Sequence, residues 1–302
     1  MRQISRSPLD ILGITLGTIV ILVVLGSVIG LFRGRMTWIG GDFRDRGWWG
    51  SFPTFSVGGA LKAEEDEQIP AGSYAAVEVR SIAGSIDISG SSTAAVTAHA
   101  TRMAASQAAL DRVHVDVRTA GDRLILEERH DPGFYANAGT VAFRIAVPSG
   151  VKVLEAHSVS GDVDVTGLSG DVDQTLSTIS GSVETDNAHN LEISSTSGHV
   201  GFTSTGSSLN AHTVSGSIDG TINALPAGGD VRANSISGSV NLDAFAGLDA
   251  TVSLHSVSGS VSCDFPVVIQ EQKRTSLRGK VGNGSASVDA GTVSGSISIN
   301  KK

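Results

Sequence analysis

Residues 158–165 read SVSGDVDV, and five close copies of this octapeptide follow along the chain. The copies are TISGSVET at 178–185, TVSGSIDG at 213–220, SISGSVNL at 235–242, SVSGSVSC at 256–263 and TVSGSISI at 292–299. A motif that returns at intervals of about twenty residues is typical of stacked supersecondary units, each packed against its neighbours. The repeat therefore predicts an all-β fold made of stacked strand units.

A glycine stands at the centre of every copy and sets the phase of the repeat. The repeat glycines, to which we assign a structural role, are Gly161, Gly181, Gly198, Gly216, Gly238, Gly259 and Gly295, with a degenerate copy at Gly279. Apolar residues two positions before and after each glycine, such as Val159 and Val163, indicate strand alternation with the glycine facing inward. We expect such a glycine to let two walls of the fold approach closely.

Further upstream in each repeat, the alternation changes phase. Leu154 and Ala156 lie at odd distances from Gly161, whereas Val159 and Val163 lie at even distances. A strand changes face only at a bend or bulge. We place this bend near the third position before the glycine, where a serine or threonine can bond backbone groups at a corner. The predicted fold of residues 151–302 is a β-solenoid, a stack of strand, corner, strand and loop.

Residues 73–150 contain one isolated copy of the pattern, around Gly84, and otherwise indicate irregular β structure. The Ala-rich segment 100–112 predicts a short helix. The segments VHVDVRT, DRLILEE and TVAFRIAVP then alternate as the strands of a meander would. We expect an N-terminal β cap that covers the open sheet edge at the end of the solenoid.

Residues 11–32, ILGITLGTIVILVVLGSVIGLF, contain no charged residue and follow a short N-terminal tail at 1–10. A helix of this length spans the hydrocarbon core of a bilayer, and no small-residue cleavage site follows it. We predict one uncleaved transmembrane helix. The arginines within 33–46 outnumber those before the span and favour a cytoplasmic domain, but long domains translocate largely regardless of charge. Of these conflicting indications we favour the second, with the bulk of the chain exported to the periplasm or cell surface.

Residues 33–72 join the predicted span to the β domain. Trp38, Trp48 and Trp49 lie there among glycines and arginines, a composition typical of the headgroup zone, so they are candidate membrane-interface anchors. The alternative is a Gly-rich tether whose rings have no specific role. Residues 60–72, ALKAEEDEQIPAG, indicate an acidic linker, and we place the domain boundary there.

The charge distribution excludes one class of partner for the repeats. Formal net charge is −8, and the segment from Val153 to Gln272 contains fourteen acidic residues but one basic residue, Arg232. A phosphate-binding surface needs clustered lysine and arginine, so we expect neither nucleic acid nor anionic lipid to bind this region. The single cysteine, Cys263, excludes an internal disulfide, and its place in the repeat predicts a buried thiol.

Two groups of residues resemble metal ligands, but we predict no metal site and no cofactor. The first group is two strips of alternating aspartates: Asp162, Asp164, Asp171 and Asp173. They are expected to point outward and to form a solvated face, with Ca²⁺ binding as the alternative. The second group is His157, His212 and His255, four positions before their glycines. Other repeats separate these histidines, whereas metal ligands must converge on one ion.

Positive charge is concentrated near the C-terminal end of the chain. The residues are Lys273, Arg274, Arg278, Lys280, Lys301 and Lys302. Charges on a terminal repeat protect a sheet from edge-to-edge pairing. The alternative is attraction of an acidic partner or an anionic glycan.

A predicted single-span anchor, a β segment ending in FRIAVPSGVKV, and serial SGS[VI] and SGDV repeats follow one another in this chain. In this order it resembles the bacterial toast-rack family of adhesin-like proteins, over about residues 74–300. The resemblance implies an envelope-associated β-solenoid of undetermined function, and some members are linked to membrane-stress systems. It implies no catalytic residues, so none is assigned.

Three functions are compatible with these features. We favour a non-enzymatic, membrane-anchored interaction module of the cell envelope, with a protein or glycan partner on the solenoid surface. The first alternative is an envelope-stress sensing or signalling accessory that acts through its anchor. The second is a glycan-active β-helix enzyme, although the repeats supply carboxylates with only Arg232 as a basic partner before Lys273, and no catalytic motif is present.

Overall fold

The computed structural model describes residues 63–131, 139–168 and 171–302, which form an all-β unit with one short helix. The predicted all-β fold is confirmed. The predicted transmembrane helix at 11–32 and the tryptophans Trp38, Trp48 and Trp49 lie outside the described residues. In the part of the chain that is described, no helix is long and apolar enough to cross a membrane.

The described residues contain twenty-one strands, and all of these belong to one hydrogen-bonded sheet. In chain order the elements are β1 (Ala63–Gly72), β2 (Ala76–Ala83), β3 (Ile86–Ser91), β4 (Val96–Ala104), α1 (Gln107–Leu110), β5 (Val113–Ala120), β6 (Arg123–His130), β7 (Gly139–Pro148), β8 (Val153–Ser160), β9 (Val163–Thr166), β10 (Asp173–Ser180), β11 (Val183–Ser197), β12 (Val200–Ser215), β13 (Ile218–Ile222), β14 (Asp230–Ser237), β15 (Val240–Ala244), β16 (Ala250–Ser258), β17 (Val261–Cys263), β18 (Val267–Lys273), β19 (Ser276–Val281), β20 (Ala286–Ser294) and β21 (Ile297–Lys301).

The strand pairs form two runs, which we call ladder A and ladder B. Ladder A follows the order β5, β6, β2, β8, β10, β11, β12, β14, β20, β16, β19, β18. Ladder B follows the order β1, β4, β7, β3, β9, β11, β12, β13, β15, β21, β17. The long strands β11 and β12 contribute to both ladders. Each repeat therefore supplies one strand to ladder A, a corner at its glycine and one strand to ladder B, and we call this unit a rung.

The order of the rungs in the stack differs from their order in the chain at both ends. Near the N-terminus, β2 lies between β6 and β8, and β3 lies between β7 and β9. Near the C-terminus, β20 lies between β14 and β16, and β21 lies between β15 and β17. The last strands of the chain are therefore interior strands of the sheet, and the rung of Gly259 is the terminal one.

Small and β-branched side chains fill the core, to which the inward faces of both ladders contribute. In the rung of Gly161 the buried residues are Leu154 and Ala156 in ladder A, and Val163 and Val165 in ladder B. The same positions are buried in the following rungs, except in the ladder B strand of the terminal rung, because strand alternation and parallel register place equivalent residues one above another.

The bend that connects the two ladders lies at the glycine, and the predicted position three residues earlier was wrong. The serines and threonines at that earlier position are buried and continue the inward alternation of ladder A. The apolar residues two before the glycine, predicted to face inward, are half-buried or exposed, and Val257 is 62% exposed. A polar hydroxyl is buried in their place because it has a hydrogen-bond acceptor in the adjacent rung.

That acceptor is the carbonyl group of the neighbouring glycine. Thr178 donates to the Gly161 oxygen over 3.0 Å, Ser195 donates to the Gly181 oxygen over 3.1 Å, and Ser235 donates in the same way to Gly216. Thr213, Ser256 and Thr292 repeat the bond in their rungs, while the Ser158 hydroxyl has no partner in the described part of the chain. The glycine N–H completes the link, as when Gly161 donates to the Ser180 carbonyl over 3.0 Å.

The close approach at each glycine is between neighbouring rungs along the stack, and not between two facing walls as predicted. A Cβ atom added to Gly238 would lie far inside van der Waals contact of the Gly216 carbonyl oxygen. Gly161, Gly181, Gly198, Gly216, Gly259 and Gly295 meet the same obstruction from the glycine of the adjacent rung. Gly279 does not belong to this set, because it lies inside β19, which pairs antiparallel with β16.

The corner of each terminal rung receives a substitute for the missing neighbour. At the N-terminal end, one oxygen of the buried Glu128 carboxylate accepts bonds from the Ser81 hydroxyl and from the backbone N–H groups of Ile82 and Ala83. At the C-terminal end, the carbonyl groups of Thr275 and Arg274 accept the N–H groups of Ser256 and Val261. Both ends thus satisfy backbone groups that a further rung would otherwise bond.

Several local expectations are corrected by the strands around residues 63–150. β1 occupies most of the predicted linker 60–72 and pairs with β4. The predicted helix at 100–112 is reduced to α1, which begins after the Ser106 cap, because residues up to 104 belong to β4. Strands β5, β6 and β7 are not a meander, since β6 pairs with β2 and β7 pairs with β3 and β4.

Cys263 is half-buried and not fully buried as predicted. Its side chain packs against the core, as the inward position in its rung requires. The rung is the terminal one, however, so a neighbour covers it on one side only. Burial raises the pKa of the Cys263 thiol.

We expect Gly238→Ala to destabilise the protein by about 1–3 kcal/mol, because its methyl group would collide with the Gly216 carbonyl. Gly150→Ala is the matched control: nothing lies within 4 Å of a Cβ atom at that position, so the change should stay within about 0.5 kcal/mol. Urea midpoints of the two variants measure the difference. Equal midpoints would show that the corner tolerates a side chain.

Candidate functional site

Acidic side chains occupy one outward position on successive strands of ladder B. Asp87 of β3, Asp164 of β9 and Glu184 of β11 are neighbours in register. Each stands three residues after its corner glycine, where alternation directs the side chain away from the core. Neighbouring strands lie about 4.8 Å apart, so the three carboxylates form a compact acidic row.

A cleft of about 240 Å³ lies at the N-terminal end of this row, where β3, β4, β7 and β9 meet. The polar side chains that line it include Asp87, Thr97, His99, Arg144, Asp164 and Thr166. In register, Arg144 lies between Asp87 and His99 on the neighbouring strands. One side of the cleft is therefore acidic, and the other carries a guanidinium group and an imidazole.

The acidic side of the cleft is electrostatically unfavourable for a charged carboxylate. Partial burial raises the pKa of Asp164, and the neighbouring carboxylates of Glu184 and Asp87 raise it further. A cation or a hydrogen-bond donor placed against Asp164 would relieve this repulsion. The site is therefore suited to a ligand with ammonium or hydroxyl groups, while Arg144 can donate paired hydrogen bonds to a carboxylate.

The four predicted aspartates are exposed but do not form one site. Asp162 accepts the Ser182 N–H over 2.7 Å, and Asp164 is part of the acidic row. Asp173 lies on ladder A, where it accepts a bond from the Asn190 amide over 2.7 Å, and Asp171 precedes it in the chain. Among residues 63–131, 139–168 and 171–302, no group of three or more His, Cys, Asp or Glu side chains is placed to hold a metal ion.

The three predicted histidines lie in one row on the outer face of ladder A but are not adjacent. His157 contacts Ser177, with 2.7 Å between Nδ1 and the hydroxyl oxygen, and Ser194 separates this pair from His212. Asn234 and Gly291 separate His212 from His255. Burial lowers the pKa of both His157 and His212, so neutral imidazoles are favoured there.

The basic residues near the C-terminal end are distributed over both ladders. Arg278 and Lys280 lie on β19 and Lys273 on β18, at the end of ladder A, whereas Lys301 lies at the end of β21 in ladder B. Lys273 is paired with Glu271 over 2.5 Å.

Sequence reasoning singled out Asp164, as part of a solvated acidic face with Ca²⁺ binding as the alternative, but missed Asp87, His99 and Arg144. Asp87 could have been found, because it stands three residues after Gly84, as Asp164 does after Gly161. Arg144 and His99 had no such signal. They reach the cleft because β7 and β4 pair beside β3, out of chain order.

The sequence profile of a family described as Toastrack DUF4097 matches residues 67–300 of the chain. A solved candidate cell adhesion protein from Clostridium sporogenes is 12% identical with a TM-score of 0.36, covering 80% of this chain and 99% of that one. A candidate adhesin from Bacteroides fragilis is 12% identical with a TM-score of 0.35, covering 79% and 97%. A candidate lipid binding protein from Parabacteroides distasonis is 13% identical with a TM-score of 0.34, covering 79% and 96%. No curated protein matches the chain.

We expect Asp164→Asn to raise the melting temperature at pH 7. Because the pKa of Asp164 is raised, the folded state favours the neutral carboxyl group. The stability that this preference contributes is complete below the unfolded-state pKa of Asp164 and is lost as pH rises through its folded-state pKa. The gain of the variant should therefore shrink as pH falls towards 3. Melting curves between pH 3 and pH 7 provide the measurement.

Asp171→Asn is the control for this comparison, because Asp171 is exposed and, among the described residues, pairs only with His189, at 3.8 Å. It should not raise the melting temperature at pH 7. A gain as large as that of Asp164→Asn would mean that general charge reduction, and not the acidic row, causes the effect.

Proposed function

Since the chain belongs to the Toastrack DUF4097 family, we propose that it is a non-enzymatic, adhesin-like interaction module of the cell envelope. In this proposal the described domain is a β-solenoid scaffold, and the apolar segment 11–32 anchors it as a single membrane span. The domain is exported, so that its polar faces meet the surroundings of the cell.

The observation that carries the proposal is the mixed-charge cleft on ladder B. Its charged groups, Asp87, Asp164 and Arg144, project from neighbouring strands whose backbones are fixed by ladder hydrogen bonds. Such groups are preorganised, so a ligand binds without ordering a loop first. Carboxylates and a guanidinium at strand spacing suit a polar ligand, such as a glycan or a charged protein surface.

The rest of the outer face supports binding along an extended surface. Carboxamide and carboxylate groups on adjacent rungs bond each other, as between Asn241 and Asp219 over 2.7 Å and between Asn300 and Asp243 over 2.8 Å. These bonds hold the side chains in fixed positions and give the face a regular polar pattern. A polymer with a repeating unit can contact several rungs at once, which increases its apparent affinity.

A binding assay with the full chain in detergent tests the proposal. We expect immobilised envelope polysaccharides or envelope proteins to retain the wild type. The single variant Arg144→Ala and the double variant Asp87→Asn with Asp164→Asn should each weaken retention about ten-fold or more, since each removes charge-assisted hydrogen bonds. Asp171→Asn, exposed outside the cleft, is the control and should bind as the wild type does.

Two results would contradict the proposal. Unchanged binding by the cleft variants would remove the cleft from the interaction. Cleavage of a polymer by the purified chain would establish an enzyme.

A second candidate function is an envelope-stress accessory that acts on a membrane partner through its anchor. The composition around Trp38, Trp48 and Trp49 favours it, because aromatic and arginine residues at a membrane interface suit lateral contacts. Replacing residues 11–55 by an unrelated anchor separates the two functions. An interaction module should keep its ligand binding, whereas a signalling accessory should lose its effect on a stress reporter while binding is unchanged.

A further inference from the structure

Among the described residues, each end of ladder A terminates in an edge strand that pairs with a neighbour on one side only. β5 pairs only with β6, and β18 pairs only with β19, while Arg102 donates to the Val113 carbonyl at the start of β5 over 2.9 Å. An edge strand presents unpaired N–H and C=O groups to which another strand can add. Three of the five large hydrophobic side chains that the described chain exposes lie on these two strands: Val117 on β5, with Val268 and Ile269 on β18.

The direction of the two edge strands matches an antiparallel pair between copies. The central strands of ladder A are parallel to one another. β6 is parallel to them, and β5 is antiparallel to β6. β19 is antiparallel to β16, and β18 is antiparallel to β19, so β18 has the direction of the central strands. If one copy follows another along the ladder axis, β18 of the first and β5 of the second run in opposite directions.

The charges on the two strands are complementary in this arrangement. Register across the whole ladder places Asp116 and Lys273 in one outward row, the row that contains Arg80 and His157. Arg118 and Glu271 lie in the next outward row, with Glu78 and Glu155. Continuing the ladder with a second copy would therefore set Asp116 opposite Lys273 and Arg118 opposite Glu271.

These side chains already form ion pairs, but the pairs are exposed. Arg118 pairs with Glu127, and Lys273 pairs with Glu271, with both cations more than half exposed. Asp116 pairs with Arg129 over 3.5 Å. Exposed pairs contribute little to stability, so they can exchange partners across an interface.

We propose that copies of this chain associate head to tail, with β18 of one copy adding to β5 of the next so that ladder A continues from molecule to molecule. The contact is heterologous, because different surfaces of the two copies meet, and it therefore generates rows or rings of copies. The proposal does not depend on the ligand of the cleft, which lies on ladder B.

Charge exchange within each edge strand tests this contact without changing net charge. The β5 variant is Asp116→Lys with Arg118→Glu, and the β18 variant is Glu271→Lys with Lys273→Glu. In sedimentation velocity of the full chain in detergent, the sedimentation coefficient of the wild type should increase with protein concentration. Each variant should associate at least about ten-fold more weakly, since each sets like charges opposite one another. Combining all four substitutions in one chain restores complementarity and should restore association.

A mixture of the two variants should also associate, because each then finds a complementary strand on the other. Glu192→Lys, exposed in the middle of ladder A, is the control and should behave as the wild type does. Circular dichroism verifies folding, and if an exchanged variant does not fold, Asp116→Lys and Lys273→Glu repeat the test with one substitution each. A monomeric wild type, variants that associate like the wild type, or a folded four-fold variant that does not regain association would each overturn the proposal.

Discussion

The fold depends on a hydrogen bond between a serine or threonine hydroxyl and the carbonyl group of the glycine in the adjacent rung. The bond requires that the hydroxyl be buried three residues before its own glycine and that no side chain stand between the two corners. Ser235, Gly238 and Gly216 show both conditions, since Ser235 bonds Gly216 and a Cβ atom on Gly238 would collide with the same carbonyl. The spelling Ser/Thr-x-Ser-Gly recurs because most rungs satisfy both conditions at their corners.

The same requirement explains the ends of the stack and the surface between them. A terminal corner lacks a neighbouring glycine, so the Glu128 carboxylate and the Arg274–Thr275 turn take over its hydrogen bonds. Because register is fixed rung by rung, outward side chains also align in rows. The acidic row with Asp87 and Asp164 and the rows that end in Asp116 and Lys273 are consequences of this alignment. The proposed binding surface and the proposed contact surface therefore both arise from one repeated corner.

Strand alternation in the sequence predicted the all-β fold and the inward positions after each glycine, including Val163 and Val240. The same alternation predicted the wrong inward positions in the residues just before each glycine. Val257 looks like a core residue but is exposed, and the polar Ser256 is buried, because its acceptor is Gly295, which is remote in sequence. Hydrophobicity along one segment cannot reveal a partner in another rung. Arg144 and His99 escaped prediction for the same reason, since the cleft forms only where β4 and β7 pair beside β3.

The interleaved order of the strands has a consequence for biosynthesis. Rungs from Gly161 to Gly238 can stack in the order in which the ribosome releases them, each on a surface that already exists. The pair β16 and β17 cannot, because its neighbours in the stack, β20 and β21, are translated later. Until those strands arrive, the apolar inward side of β16, with Val252 and Leu254, lacks its strand neighbours on both sides. The nascent chain thus exposes apolar surface late in translation, at the stage when folding chaperones would be most needed.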